Sequence, residues 1–111
     1  MKYLLFGAGA CYERYKKWFS QEDVLAVMDN SSEKQGATID GIRIMAPQDA
    51  LKLEYDRIVI LSVYFSAMRD QLMGLGVSEA LIFHYYDLPL LVSEEDRREV
   101  KCYGSLDKIS N

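Results

Sequence analysis

Residues 2–12 read Lys2-Tyr3-Leu4-Leu5-Phe6-Gly7-Ala8-Gly9-Ala10-Cys11-Tyr12. The apolar run ending at Phe6 is short and stops at a glycine, which predicts a buried strand rather than a helix. From Ala10 the period changes. Cys11, Tyr15, Trp18 and Phe19 fall on one helical face, and Glu13, Arg14, Lys16 and Lys17 on the other, so an amphipathic helix follows the strand. Gly7 and Gly9 thereby occupy a tight strand-to-helix turn. Gly7, directly after the strand, suits a positive φ, and Gly9, lacking a Cβ, lets a pyrophosphate approach its backbone. Ala8 and Ala10 keep the turn uncrowded.

Working outward, Val24-Leu25-Ala26-Val27-Met28 is a second apolar run of strand formers, closed by the turn residues Asp29-Asn30-Ser31-Ser32. An acid at this point, about twenty residues beyond a glycine turn, accepts hydrogen bonds from ribose hydroxyls and repels a 2′-phosphate. Asp29 holds the position, which favours a nucleotide of the NAD type or a nucleotide-sugar over NADP. The third glycine of G-x-G-x-x-G would fall at position 12. Tyr12 stands there instead, where it is expected to hold the helix off the strand or to project over the phosphate site.

The rest of the chain supplies the layers. Residues 33–41 are polar with two glycines and read as a surface loop, and residues 42–45 as a brief strand. Pro47 suits the first turn of a helix over about residues 48–53. Ile58-Val59-Ile60-Leu61 is the most uniformly apolar β-type run and reads as a central strand covered on both faces. Met68, Leu72 and Leu75 predict a helix ended by Gly74 and Gly76, and residues 80–83 a further strand. This alternation predicts an α/β, Rossmann-like three-layer fold with a mostly parallel sheet, spanning residues 1–88. Residues 89–111 are expected to form a C-terminal helix, N-capped at Ser93 ahead of Glu94, Glu95 and Asp96, and then a polar tail.

In such a sheet the loops after the strands line the ligand crevice, which adds Ser62 and Tyr64 to Gly7, Ala8, Gly9, Ala10 and Asp29 as candidate binding residues. Other residues carry less. Cys11 and Cys102 lack metal-like spacing and His84 is the lone imidazole, so no metal site and a structural role for His84 are expected. Tyr12 and Lys16 have a Tyr-x-x-x-Lys spacing used by short-chain dehydrogenases, but on the first helix, where that chemistry does not sit. Arg14, Lys16 and Lys17 read as a solvated helix face. Tyr85, Tyr86 and Tyr103 offer an apolar patch for a partner or a second copy.

A formal net charge of -4 and a sequence pI near 4.9 argue against a phosphate-tracking surface, so nucleic acid is not expected as a partner. The apolar run of residues 3–6 is too short for a signal-peptide core or a membrane span, and a cytoplasmic protein without a transmembrane segment is expected.

Taken together, Leu4-Leu5-Phe6-Gly7-Ala8-Gly9, Val27-Met28-Asp29-Asn30, Gly41-Ile42-Arg43-Ile44, Tyr55-Asp56-Arg57-Ile58-Val59-Ile60 and Gln71-Leu72-Met73-Gly74-Leu75-Gly76-Val77 resemble the small Rossmann-like domains found beside bacterial polysaccharide-biosynthesis enzymes. Those enzymes are nucleotide-sugar epimerases or dehydratases, FkbM-type methyltransferases, sugar acyltransferases and glycosyltransferases. The resemblance implies a nucleotide- or nucleotide-sugar-binding module of glycan metabolism, with Gly7, Gly9 and Asp29 at the binding positions and the catalytic residues in an attached or associated enzyme. Two alternatives stay open at this stage. One is a non-catalytic interaction or oligomerisation domain, a homodimer for example, with the site closed by Tyr12. The other is a small NAD-dependent sugar-nucleotide oxidoreductase or epimerase with Tyr64 or His84 as acid/base.

Overall fold

The computed structural model describes residues 1–95. Its strands are β1 (Tyr3–Phe6), β2 (Val24–Met28), β3 (Thr38–Ile39), β4 (Ile42–Met45), β5 (Arg57–Ile60) and β6 (Ile82–His84). They form one sheet in the order β3-β4-β2-β1-β5-β6, antiparallel only between β3 and β4. The helices are α1 (Ala10–Tyr15), α2 (Pro47–Ala50), α3 (Phe65–Gly74) and α4 (Leu88–Glu95). This is the expected α/β, Rossmann-like architecture.

Strand period explains how the layers are filled. Side chains alternate across a sheet, so Tyr3 and Leu5 of β1 point to one face and Leu4 and Phe6 to the other. The first face packs under α1 and α4 with Tyr12, Val27, Val59, Leu88 and Leu91. The second packs under α2 and α3 with Ala26, Met28, Ala50, Ile58, Ile60 and Leu72. β1 is buried along its whole length because it has a partner strand on each side and a helical layer on each face. The β1–β2 register shifts between Tyr3, which pairs with Val24, and Leu4, which pairs with Ala26. Leu25 is the extra residue, and the bulge lets Val24 face one core while Ala26 faces the other.

Four local expectations are corrected. Residues 33–41 are not an irregular loop. A hydrogen-bonded turn leads into β3, and Asp40 (φ 52°) and Gly41 (φ 79°) close a two-residue hairpin onto β4. Both turn positions have positive φ, the requirement that makes Asp-Gly a hairpin signal. α2 stops at Ala50, with Lys52 and Leu53 donating to Asp49 and Ala50 in a tightened last turn. The last strand starts at Ile82, because Ser78 Oγ accepts from the Ala80 amide (3.3 Å) and starts a 3₁₀ turn over Glu79–Leu81. Finally, Ser93 lies inside α4 rather than at its cap. The helix starts at Leu88, where burying Leu88 and Leu91 outweighs the polar cap signal, and Pro89 sits in the first turn where a missing N–H is harmless. The predicted polar tail, Asp96, Cys102 and Tyr103 lie outside the described residues.

Among the described residues no helix is long and apolar enough to cross a membrane.

Candidate functional site

The chain adds β2 and β4 on one side of β1, then returns to place β5 and β6 on the other. The carboxyl ends of β1 and β5 therefore flank the point where the winding reverses, the place where open α/β sheets leave a crevice. A cleft of about 490 Å³ opens there. All seven residues singled out from the sequence line it: Gly7, Ala8, Gly9 and Ala10 after β1, Asp29 after β2, and Ser62 and Tyr64 after β5. Its size falls within the roughly 300–1,000 Å³ of small-molecule sites.

The turn is built as the glycines require. Gly7 has φ +122°, and a Cβ there would lie 2.5 Å from the Leu61 carbonyl oxygen. Only glycine lets β1 leave the sheet so close to β5. Gly9 differs, with negative φ and nothing within 4 Å of an added Cβ. The space beside Gly9 is the cleft.

Asp29 is tied to that turn. Its Oδ2 accepts the Ala8 amide at 2.9 Å and its Oδ1 the Ser31 amide at 2.8 Å. These bonds orient the carboxylate and leave acceptor capacity on both oxygens, since an ionised carboxylate has about four lone-pair sites. Ser62 Oγ accepts from the Tyr64 amide (3.0 Å), shaping the turn ahead of α3, while the Tyr64 ring is 72% exposed at the cleft rim.

Tyr12 does not close the site. Its side chain is 2% exposed, packed in the core under α1, and it is not among the residues lining the cleft. Helical geometry carries position 12 round to the sheet-facing side, so the ring fills the layer that a third glycine would have left thin. Its hydroxyl donates to Asp40 Oδ2 at 2.8 Å, and Lys16 Nζ reaches the same oxygen at 3.2 Å while pairing with Glu13 at 2.8 Å. Burial, reinforced by the Asp40 carboxylate, pushes the Tyr12 phenol up to about 12. The Tyr12 hydroxyl, then the Lys16 ammonium, hold the Asp40 carboxyl below its ordinary value. The Tyr-x-x-x-Lys pair is thus a fastening between α1 and the β3–β4 hairpin, and Lys16 is not merely solvated.

His84 sits at the same end of the sheet with both ring nitrogens engaged. Its side chain accepts from the Asp87 amide, and Nε2 lies 3.0 Å from the Ser62 carbonyl oxygen. With one nitrogen accepting from an amide, Nε2 is the one that carries hydrogen and donates to Ser62. The ring also packs against Phe65, Tyr85 and Tyr86 at centroid distances of 4.7, 4.0 and 4.5 Å. Tyr85, half-buried, stacks on Tyr15 at 4.6 Å and packs against Tyr86 at 4.7 Å, and Tyr86 is 76% exposed.

Of the cleft-lining residues beyond those seven, two bring polar side chains with hydrogen bonds of their own. Lys34 donates to the Ala8 carbonyl oxygen at 3.2 Å, and Asn30 lines the cleft while exchanging two 2.9 Å amide hydrogen bonds with Gln71 of α3. Asn30, adjacent to Asp29, had a positional signal. Lys34 had none, because it reaches the cleft only through the turn that folds residues 31–36 back on β2 and β4.

A mostly parallel sheet, a glycine turn after its first strand and a crevice at its switch point define a Rossmann-like domain. The chain belongs to the C2185-like family, matching its N-terminal model over residues 1–83. Among solved structures it is similar to RSP, a Rex-family repressor, with a TM-score of 0.57 and 14% identity over 96% of this chain and 63% of the repressor. It is likewise similar to RSP in complex with β-NAD+ and operator DNA, with a TM-score of 0.56 and 13% identity over 96% of this chain and 61% of that one. The chain thus spans less than two thirds of the repressor's length, and at these identities the likeness is one of fold. No curated protein matches it in sequence.

The repressor complex overturns the exclusion of nucleic acid drawn above from net charge, since a protein of this fold is held on operator DNA. The reason is physical. A formal charge of -4 sums over the whole chain, whereas affinity for phosphate follows where individual Lys and Arg side chains are placed.

Proposed function

We propose that this domain binds a nucleotide carrying a diphosphate, of the NAD or nucleotide-sugar class, across the carboxyl ends of β1, β2 and β5. The diphosphate lies along Gly7, Ala8, Gly9 and Ala10, the ribose hydroxyls donate to Asp29, and the far half of the ligand runs over Ser62 and Tyr64. The observation that carries this reading is convergence: three segments far apart in the chain, after β1, β2 and β5, meet in one cleft at the topological switch point. Such crevices are where open α/β sheets take their ligands.

The likeness to a repressor solved with β-NAD+ supports NAD, and the sequence resemblance to domains beside polysaccharide-biosynthesis enzymes supports a nucleotide-sugar and a role in glycan metabolism. The two ligand classes share a nucleoside diphosphate. Binding is the role proposed: of the two acid/base candidates, His84 has both ring nitrogens engaged in hydrogen bonds, and Tyr64 stands 72% exposed at the cleft rim.

Thermal unfolding with NAD, NADP and a UDP-sugar tests this. A ligand at a hundredfold excess over its Kd stabilises by about 2.7 kcal/mol, and Gly9→Val, which fills the cleft from a backbone position with open space around it, abolishes the shift. Unchanged melting with every one of these at millimolar concentration refutes the reading.

A further inference from the structure

We infer that Lys34 is the residue that selects a phosphorylated ligand, exchanging its bond to the Ala8 carbonyl for a phosphate oxygen when the cleft is filled. The inference rests on the nucleotide-binding reading and narrows it to ligands with negative charge at the glycine turn.

Charge inside the cleft is the first ground. Among the described residues that line it, only Asp29 and Lys34 are ionisable to full charge at neutral pH. They grip the two peptide groups that flank one residue: Asp29 Oδ2 takes the Ala8 N–H at 2.9 Å and Lys34 Nζ gives to the Ala8 C=O at 3.2 Å. The acid is committed to donors, either the amides it holds or ribose hydroxyls. Among the described residues the Lys34 ammonium is the one cationic side chain lining the cleft. A diphosphate laid against Gly9 comes within one residue of the carbonyl that Lys34 touches, and two unneutralised charges there would face Asp29 uncompensated.

The second ground is that Lys34 is held in place by its backbone. The Lys34 and Gln35 amides both donate to the Ser31 carbonyl at 3.1 Å, the Ala37 amide donates to the Lys34 carbonyl at 3.1 Å, and the Gly36 amide donates to Ile44 at 2.9 Å. Gln35 Nε2 adds a bond to the Asp29 carbonyl at 2.8 Å. The turn therefore carries the lysine as a fixed post beside Asp29, while its side chain keeps the rotamer freedom to swing from one acceptor to another. A neutral amide carbonyl is the weaker acceptor, so a phosphate oxygen displaces it.

Isothermal titration of the chain with ADP, adenosine, UDP and uridine, at low and high salt, tests this on wild type, Lys34→Gln and Lys34→Arg, with thermal melting of each as the fold control. The expected result is a loss of roughly five- to twentyfold in diphosphate affinity for Lys34→Gln, with nucleoside affinity unchanged, a flatter salt dependence and recovery in Lys34→Arg. Equal diphosphate affinity in wild type and Lys34→Gln overturns the inference and leaves Lys34 as a tether for Ala8. An equal loss for nucleoside and diphosphate overturns it too, because the effect is then structural. Absence of binding by wild type refutes the nucleotide reading itself and the inference with it.

Discussion

Replacing Gly7 with alanine isolates the one backbone position that the turn cannot do without. At φ +122° an L-residue is strained whatever surrounds it, a cost of about 1–3 kcal/mol. The added Cβ would also stand 2.5 Å from the Leu61 carbonyl oxygen and 3.3 Å from its carbon. Neither partner can yield cheaply. The Gly7 amide donates to Met28 and the Leu61 amide to Phe6, each at 2.8 Å, so moving either backbone loosens the ladder that joins β1 to β2 or β5. Loosening one such bond adds about 1 kcal/mol. The sum is about 2–4 kcal/mol, a large part of the roughly 5–15 kcal/mol that keeps a domain folded.

Urea denaturation followed by circular dichroism measures it. Gly7→Ala lowers the midpoint with the slope unchanged, and the melting temperature falls on the order of 10–15 °C. Gly9→Ala is the internal control: its φ is negative and its Cβ meets nothing within 4 Å, so its stability stays within about 0.5 kcal/mol of wild type. If both alanine variants are equally stable, the Gly7 carbonyl contact does not constrain the turn and the argument fails.

Asp29→Asn removes a charge-assisted acceptor from either the Ala8 or the Ser31 amide and turns an NH₂ toward it, so a loss of about 1–3 kcal/mol is expected by thermal melting. Leu72→Ala empties a fully buried position under α3, and urea denaturation should report about 2–5 kcal/mol. Tyr12 titrates at about 12, above the ordinary tyrosine value, so its contribution to stability is complete below pH 10 and lost as pH rises through 12. Ultraviolet difference titration of wild type against Tyr12→Phe should show the loss of a phenol that titrates above the ordinary tyrosine value. The Asp40 carboxyl sits below its ordinary value, so its contribution is present above that value and fades as acid titrates the folded form. In Tyr12→Phe the carbon-detected titration of Asp40 should move back up; an unmoved curve would rule out the hydroxyl as its main partner.

Much of this was legible in the residues themselves. The turn from β1 into α1, the strand at Val24–Met28, the strand at Ile42–Met45 and the parallel order all follow from runs of apolar residues whose period switches at a glycine or proline. So does the cleft's membership, because Gly7, Ala8, Gly9, Ala10, Asp29, Ser62 and Tyr64 sit at strand ends, and strand ends in a parallel sheet gather at one edge. Asp40-Gly41 also carried a hairpin signal in its two residues, outweighed in the reading by the polar run around it.

What periodicity and turn chemistry determined, then, was the layering and which strand ends share the cleft. Only the tertiary structure decided which side of α1 Tyr12 takes, that the Asp29 carboxylate is fastened to the Ala8 amide, and that Lys34 reaches the carbonyl of that same residue. The physical reason is one of range. Strand and helix identity are set by neighbours a few positions apart, whereas these contacts join residues 21 to 28 positions apart whose side-chain directions depend on the exact turns between them. The glycine turn is legible as a turn; the charges that equip it are legible only once the chain has folded back over it.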